Sequence, residues 1–238
     1  MKIILSLVFA VTFSSMSAQS WKELKNAATK AQTVISVDKL SKDEVAKGLK
    51  EALVVSSTNS TKNASAAGGF SNNKLIRIPF PAEANKMKET LINIGMQGQI
   101  NQFEHKLNLA AEDASQFAKE IFIEAVKNIS IKDAMSILEG NDKAATIYLK
   151  EQTSNDLYFK FKPVVKRSIE KVKLAKYWKA LSVRYNALPM TPTVNHDLED
   201  YITTKTINGL FLLIAKEEKL IRNDPRARVS EILQRVFK

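Results

Sequence analysis

INQFEHKLNLAAEDASQFAKEIFIEAVK, residues 100–127, decides the fold class. Ile100, Phe103, Leu107, Ala110, Ala111, Ala114, Phe117, Ile121 and Ala125 recur every three or four residues and make one apolar stripe. That spacing belongs to a helix burying one face against other helices. Upstream, Gly95 and Gly98 break the chain, and Pro81 stands just before a helix expected from Ala82 to about Ile94. KLIRIPFP (74–81) has Ile76, Ile78 and Phe80 at period two, but Pro79 and Pro81 lack the N–H a central strand needs. It is therefore expected to be an extended strap lying across helices. Ser41 and Glu44 have capping-box spacing, with Leu40 placed to staple onto Val45. The helix they open carries Val45, Leu49, Ala52 and Leu53 on one face and is expected to dissolve in SSTNSTKNASAAGGF (56–70).

Downstream, SIKDAMSILEG (130–140) predicts a short helix, with Ser130 and Asp133 at a capping-box-like spacing. A helix from Lys143 to Phe161 should end before Pro163, and another should span 164–188 with Val165, Ile169, Val172, Trp178 and Leu181 inward. After the loop 189–195, Asn195 or Asp197 caps a helix to about Arg222. Asp224 is expected to cap the final helix, with Pro225 at its first position. The class is all-α: a multi-helix bundle of roughly eight or nine helices with one short strap near residues 74–81.

The N-terminus points to export. Lys2, a short apolar run and the small residues before Gln19 make a signal peptide over residues 1–18, with cleavage after Ala18 or Ser17. Residues 19–39 then form a polar segment, and 40–238 a single helical domain. There is no cysteine, which excludes disulfides, thiolate chemistry and a bacterial lipid anchor. No later apolar run reaches the ~20 residues a membrane-spanning helix needs. Ile207–Ala215 is the greasiest stretch. The expected location is periplasmic or secreted. Net charge falls from +11 to +10 once Lys2 is removed, 11 − 1 = 10. That surplus suits an envelope protein, an anionic lipid or an acidic polymer, and export excludes nucleic acid as a partner.

Neither His105 nor His196 belongs to a metal-binding motif, and no phosphate loop or nucleophile elbow occurs, so no metal or cofactor is expected. Glu104, Asn108, Glu112, Ser115 and Lys119 share one helix face. Glu112, with Asn108 or Glu218, is the candidate general acid or base of a hydrolase-like enzyme. The competing expectation is a structural ion pair or a solvated face. A third possibility is a small apolar-ligand carrier, with a cavity between the Ala-rich helix and Ile207–Ala215. Lys166, Arg167, Lys171 and Lys173, with Trp178, are candidate contacts to an anionic surface. Glu217, Glu218, Arg222, Arg226 and Arg228 are candidates for ion pairs across Asp224-Pro225, in a C-terminal clamp anchored by Leu220, Ile221, Val229, Ile232, Leu233, Val236 and Phe237. The leading expectation is an exported, non-catalytic helical domain that binds an envelope partner.

KGLKEAL (47–53), GGF (68–70), IRIPFP (76–81), NLAAEDA (108–114), DAMSILEG (133–140), AATIYLKEQT (144–153) and INGLFLLIAKEEKLIRNDPRAR (207–228) occur in this order. The set resembles the bacterial family called domain of unknown function 4197, exported proteins of Gram-negative bacteria. The likeness runs from about Leu40 to Phe237. Where the family pattern has an Arg in N-R-A-A-E, this chain has Leu109. The resemblance implies a single helical domain and no particular activity.

Overall fold

The helix that opens at Ser41 organises the molecule. In the computed structural model, which describes residues 40–238 except Ile129, Met190, Pro192, Thr193, Asn195 and His196, this helix, α1, runs Lys42–Ser65. The expectations for residues 1–39 and for His196 therefore lie outside the described residues. The Ser41 hydroxyl accepts from the Glu44 amide, and the Glu44 carboxylate accepts from the Ser41 amide, both near 3 Å. That carboxyl is held below its usual range chiefly by its bonds to Ser41, with Arg235 adding to them.

α1 ends within the serine-rich stretch, as expected, but only at Ser65, so Ser56 to Ser65 is helical. Ser, Thr and Asn each cost a helix less than ~0.7 kcal/mol relative to Ala, and packing overrides that. Ser56, Ser57, Ser60, Thr61 and Ala64 are buried, and their small side chains let neighbouring helices approach. The hydroxyls of Thr58 and Thr61 bond back to Val54 and Ser57 carbonyls. The chain then doubles back at Gly68 (φ 81°) and Gly69, where a Cβ would lie 2.3 Å from the Ala64 carbonyl oxygen. Phe70 is delivered into the core.

The strap comes next, with Ile76, Ile78 and Phe80 buried and Leu75 exposed, as the period-two pattern requires. A short 3-10 turn, Ala82–Ala84, precedes α2, Asn85–Asn93. The stripe of residues 100–127 is split into α3, Gln97–Ser115, and α4, Ala118–Asn128. Gln116 and Phe117 amides close 3-10 bonds to Asp113 and Ala114, so the buried face slips by one residue. Phe122 and Val126 enter the core instead of Ile121 and Ala125, and Phe117 is half exposed. α5 is only Ala134–Leu138, so Ser130 lies outside it, and Asp133 makes no capping bond.

Pro163 does not interrupt: α6 runs Ala144–Lys171 through it. An interior proline costs a helix about 3 kcal/mol and frees the carbonyl four residues back. Here both Pro163 and Phe159 are exposed, so the freed carbonyl lies on the solvent side while Phe161, Val164, Val165 and Ile169 hold the inner face. The break falls instead at Lys173, in the left-handed region with φ 57°. It separates α6 from α7, Leu174–Asn186. α8 is Leu198–Asn223, capped by Asp197, whose carboxylate accepts from the Asp200 amide at 2.9 Å. Asp224 caps a 3-10 turn, Pro225–Ala227, rather than the last helix, because α9, Glu231–Val236, begins only after Ser230.

The described residues thus hold nine α-helices and no strand. α1 is central, touching α3, α4, α5, α8 and α9. α6 lies along α8, and α3 packs on α6 and α7. α9 closes on α1 through Leu233, Val236 and Phe237, which are buried, whereas Leu220 and Val229 are exposed and anchor nothing inside. Arg235 pairs with Glu44 at 2.9 Å. Gly48 is where α9 meets α1, since a Cβ there would stand 2.6 Å from Val236. Gly48→Ala should therefore cost about 1–3 kcal/mol in urea unfolding by overpacking. Gly98→Ala, where a Cβ meets nothing within 4 Å, should add up to about 1 kcal/mol. Equal effects at the two positions would contradict this packing.

Candidate functional site

The polar ridge of α3 is a buried rail. Glu104, Asn108 and Glu112 are each less than a tenth exposed, and each binds the crossover between α1 and α2. Glu112 Oε1 accepts from the amides of Phe70 and Ser71 at 3.1 and 3.0 Å and from the Ser71 hydroxyl at 2.9 Å. Asn108 pairs with Ile78 as a strand neighbour would: its Oδ1 accepts from the Ile78 amide, and its Nδ2 donates to the Ile78 carbonyl, both at 2.8 Å. Glu104 receives Arg77 at 3.0 Å and Lys88 at 2.6 Å. The partners of Glu112 are thus backbone amides and a hydroxyl, not the cation of a neighbouring helix. Tyr201 adds a bond from α8, donating its hydroxyl to the Pro79 carbonyl at 3.0 Å.

A second polar centre lies at the far end of α8. Glu218 is fully buried. Its carboxylate accepts from the amides of Ala145 and Thr146 at 3.0 and 2.7 Å and from the Thr146 hydroxyl at 2.6 Å. These are the free N–H groups at the start of α6, whose own flanking residue Lys143 makes no capping bond. One turn on, Arg222 donates Nε to Glu218 at 2.8 Å, and its other nitrogens bind the Leu138 and Ile137 carbonyls at the end of α5. A carboxylate thus sits at a positive helix end and a guanidinium at a negative one. The Phe237 ring centroid lies 5.3 Å from the same guanidinium.

The other residues of the C-terminal joint are placed separately. Glu217 accepts from Asn59 of α1 at 2.9 Å. Arg226 is bound locally by Asp224, whose carboxyl is lowered chiefly by that side-chain bond. Arg228 donates to the Ile221 and Arg222 carbonyls. In the basic segment, Lys171 is bound by Asp113, and Trp178 packs against Phe80 and Phe103 at 5.9 and 5.2 Å between ring centroids. Lys166, Arg167 and Lys173 are exposed. Sequence inspection missed the roles of Arg77, Lys88, Thr146 and Tyr201. Asn141 and Asp142 stand before Ala144 as cap-type residues, so no local signal pointed to Glu218 as the acceptor.

Among the described residues no three His, Asp or Glu side chains gather as metal ligands, and no helix is long and apolar enough to cross a membrane. The family described as "Protein of unknown function (DUF4197)" matches residues 39–238, most of the chain. No curated protein and no solved structure matches it.

Removing one partner of a buried charge pair strands the other, at a cost of about 3–5 kcal/mol. Glu218→Ala should lower unfolding stability by that amount. Glu124→Ala, which breaks the exposed pair with Lys160 at 2.8 Å, should cost less than about 1 kcal/mol. Comparable losses in denaturant titrations would refute the ranking. Burial pushes the Tyr201 hydroxyl up to about 12, with Glu83 and Glu104 adding to it. The folded chain therefore favours the neutral phenol. The stability this contributes is whole below the ordinary tyrosine value near 10 and is lost as pH rises toward 12. The ultraviolet difference spectrum between the native chain and Tyr201→Phe should show a phenol ionising near the upper value; a midpoint at the ordinary one would contradict it.

Proposed function

We propose that this chain, which belongs to the DUF4197 family, is an exported, non-catalytic domain whose basic outer surface binds an acidic partner in the cell envelope. The observation that supports this is how its charges are disposed. Glu104, Glu112 and Glu218 are engaged by donors of the fold itself. A general acid or base needs its carboxylate within hydrogen-bond reach of a substrate, whereas Glu112 is 4% exposed and faces the 70–71 turn. By contrast, Lys166, Arg167, Lys173, Lys176, Lys179 and Arg184 are exposed and have no side-chain partner among the described residues. They run along the end of α6 and over α7.

Export rests on the signal-like residues 1–18, and the acidic partner on the surplus of positive charge in residues 19–238. Trp178 is committed to the Phe80–Phe103 cluster, so attraction at this surface is electrostatic rather than insertion of an aromatic anchor. Exposed charges are screened by salt over about 10 Å at 0.1 M. The protein should therefore co-sediment with phosphatidylglycerol vesicles at low ionic strength and not with phosphatidylcholine vesicles. Binding should vanish in Lys166→Glu/Arg167→Glu/Lys173→Glu/Lys176→Glu and fade with added salt. Equal pelleting with both lipids would remove the electrostatic basis of the proposal.

A further inference from the structure

A furrow runs between α6 and α8; its wall includes Thr146, which binds Glu218, and its far end reaches the strap at Arg77 and Ile78. Its middle, about 430 Å³, is floored by Ile147, Phe211, Leu212 and Ala215. At one end it continues past Lys143 and Ala215 to Lys216 and Lys219, and at the other past Asn208 and Leu212 to Leu75 and Lys205. Lys205 to Lys219 spans about 21 Å of helix. Leu75, Ile147 and Leu212 are 53%, 38% and 48% exposed. This is the outer side of Ile207–Ala215. The inner side is taken up by the core, with Leu210 and Ile214 fully buried.

The rim is cationic. Lys143, Lys150, Lys205, Lys216 and Lys219, with Arg77 at the far end, border the furrow, against Asp142. Asp142 is already occupied by Asn223 at 3.0 Å and Lys219 at 3.1 Å, which hold its carboxyl below the usual range. Lys150 bonds Asn208 and lies 5.8 Å from the centroid of the Phe211 ring. Lys205 lies over Tyr201. Lys143 and Lys216 have no side-chain partner among the described residues, and both line the same end of the furrow.

An apolar floor ending at two unpaired ammonium groups fits a ligand that is greasy along its length and negative at one end. The volume falls in the usual range for small-molecule clefts, roughly 300–1,000 Å³. We propose that the furrow binds a single-chain anionic amphiphile, its acyl chain on Ile147, Phe211 and Leu212 and its carboxylate between Lys143 and Lys216. This goes beyond the proposed envelope-binding function and stands independently of it. It uses a different surface from Lys166 and Arg167.

The test is calorimetric titration of the full chain with laurate below its micelle concentration, beside dodecyltrimethylammonium as a chain-matched cation and acetate as a chainless anion. Laurate should bind saturably at one site, and the other two at least about tenfold more weakly. Lys143→Gln/Lys216→Gln and, separately, Leu212→Asn should each weaken laurate by about tenfold or more. All three positions are exposed, so unfolding temperature should not move. Laurate binding unchanged in both variants, or matched by the cation, overturns the proposal. So does absence of laurate binding, including the case where the furrow instead accepts an acidic helix of another protein. The Lys166→Glu/Arg167→Glu/Lys173→Glu/Lys176→Glu variant should keep laurate binding. Vesicle binding without laurate binding rejects the furrow alone, and laurate binding without vesicle binding rejects the basic surface alone.

Discussion

Glu218 and Arg222, one turn apart on α8, are the pair on which the bundle's assembly depends. Every helix end leaves backbone groups without partners, and a buried end must find them elsewhere. α6 begins inside the protein without a side-chain cap of its own, and Glu218 supplies the acceptor from another helix. Arg222 neutralises that carboxylate and at the same time satisfies the last carbonyls of α5. Four elements, α5, α6, α8 and the C-terminal Phe237, thereby meet at one ion pair. Charge-assisted bonds of this kind contribute about 1.5–3 kcal/mol each, and the pair is stable in the interior because almost every donor and acceptor around it is used.

The rail on α3 works by the same physics with different partners. A crossover of irregular backbone laid over a helical core would bury amides and carbonyls that no ladder satisfies. Asn108 answers both groups of Ile78, and Glu112 gathers the two amides that come after Gly69. These polar residues at four-residue spacing therefore fix a loop. That is also why Ile76 and Ile78 stay buried and Phe80 is held against Phe103 and Trp178.

Much of the fold could be read along the chain. The capping box at Ser41, the cap at Asp197, the period-two strap and the apolar stripe of α3 are all local signals, each set by residues within a few positions of one another. The expectations that failed or fell short did so where distant packing decided the outcome. The serine run stays helical as far as Ser65 because its small side chains are pressed between other helices. Pro163 is tolerated because it falls on the solvent face of a helix already held on its other side. The stripe of residues 100–127 breaks at Gln116: both halves pack on α1 and α6, but the first half packs on α7 as well. For the candidate residues, α-helical spacing placed Glu104, Asn108 and Glu112 on one face but could not name what lies opposite.

What the sequence determined by itself was the helical class and the main caps, because periodicity and capping chemistry act over short distances. What only the tertiary structure decided was the partner of each buried charge. Glu218 finds Ala145 across 73 positions and Arg222 finds Leu138 across 84. A carboxylate takes whichever unsatisfied donor the fold brings to it. That choice is made by helix packing, which no local run of residues encodes.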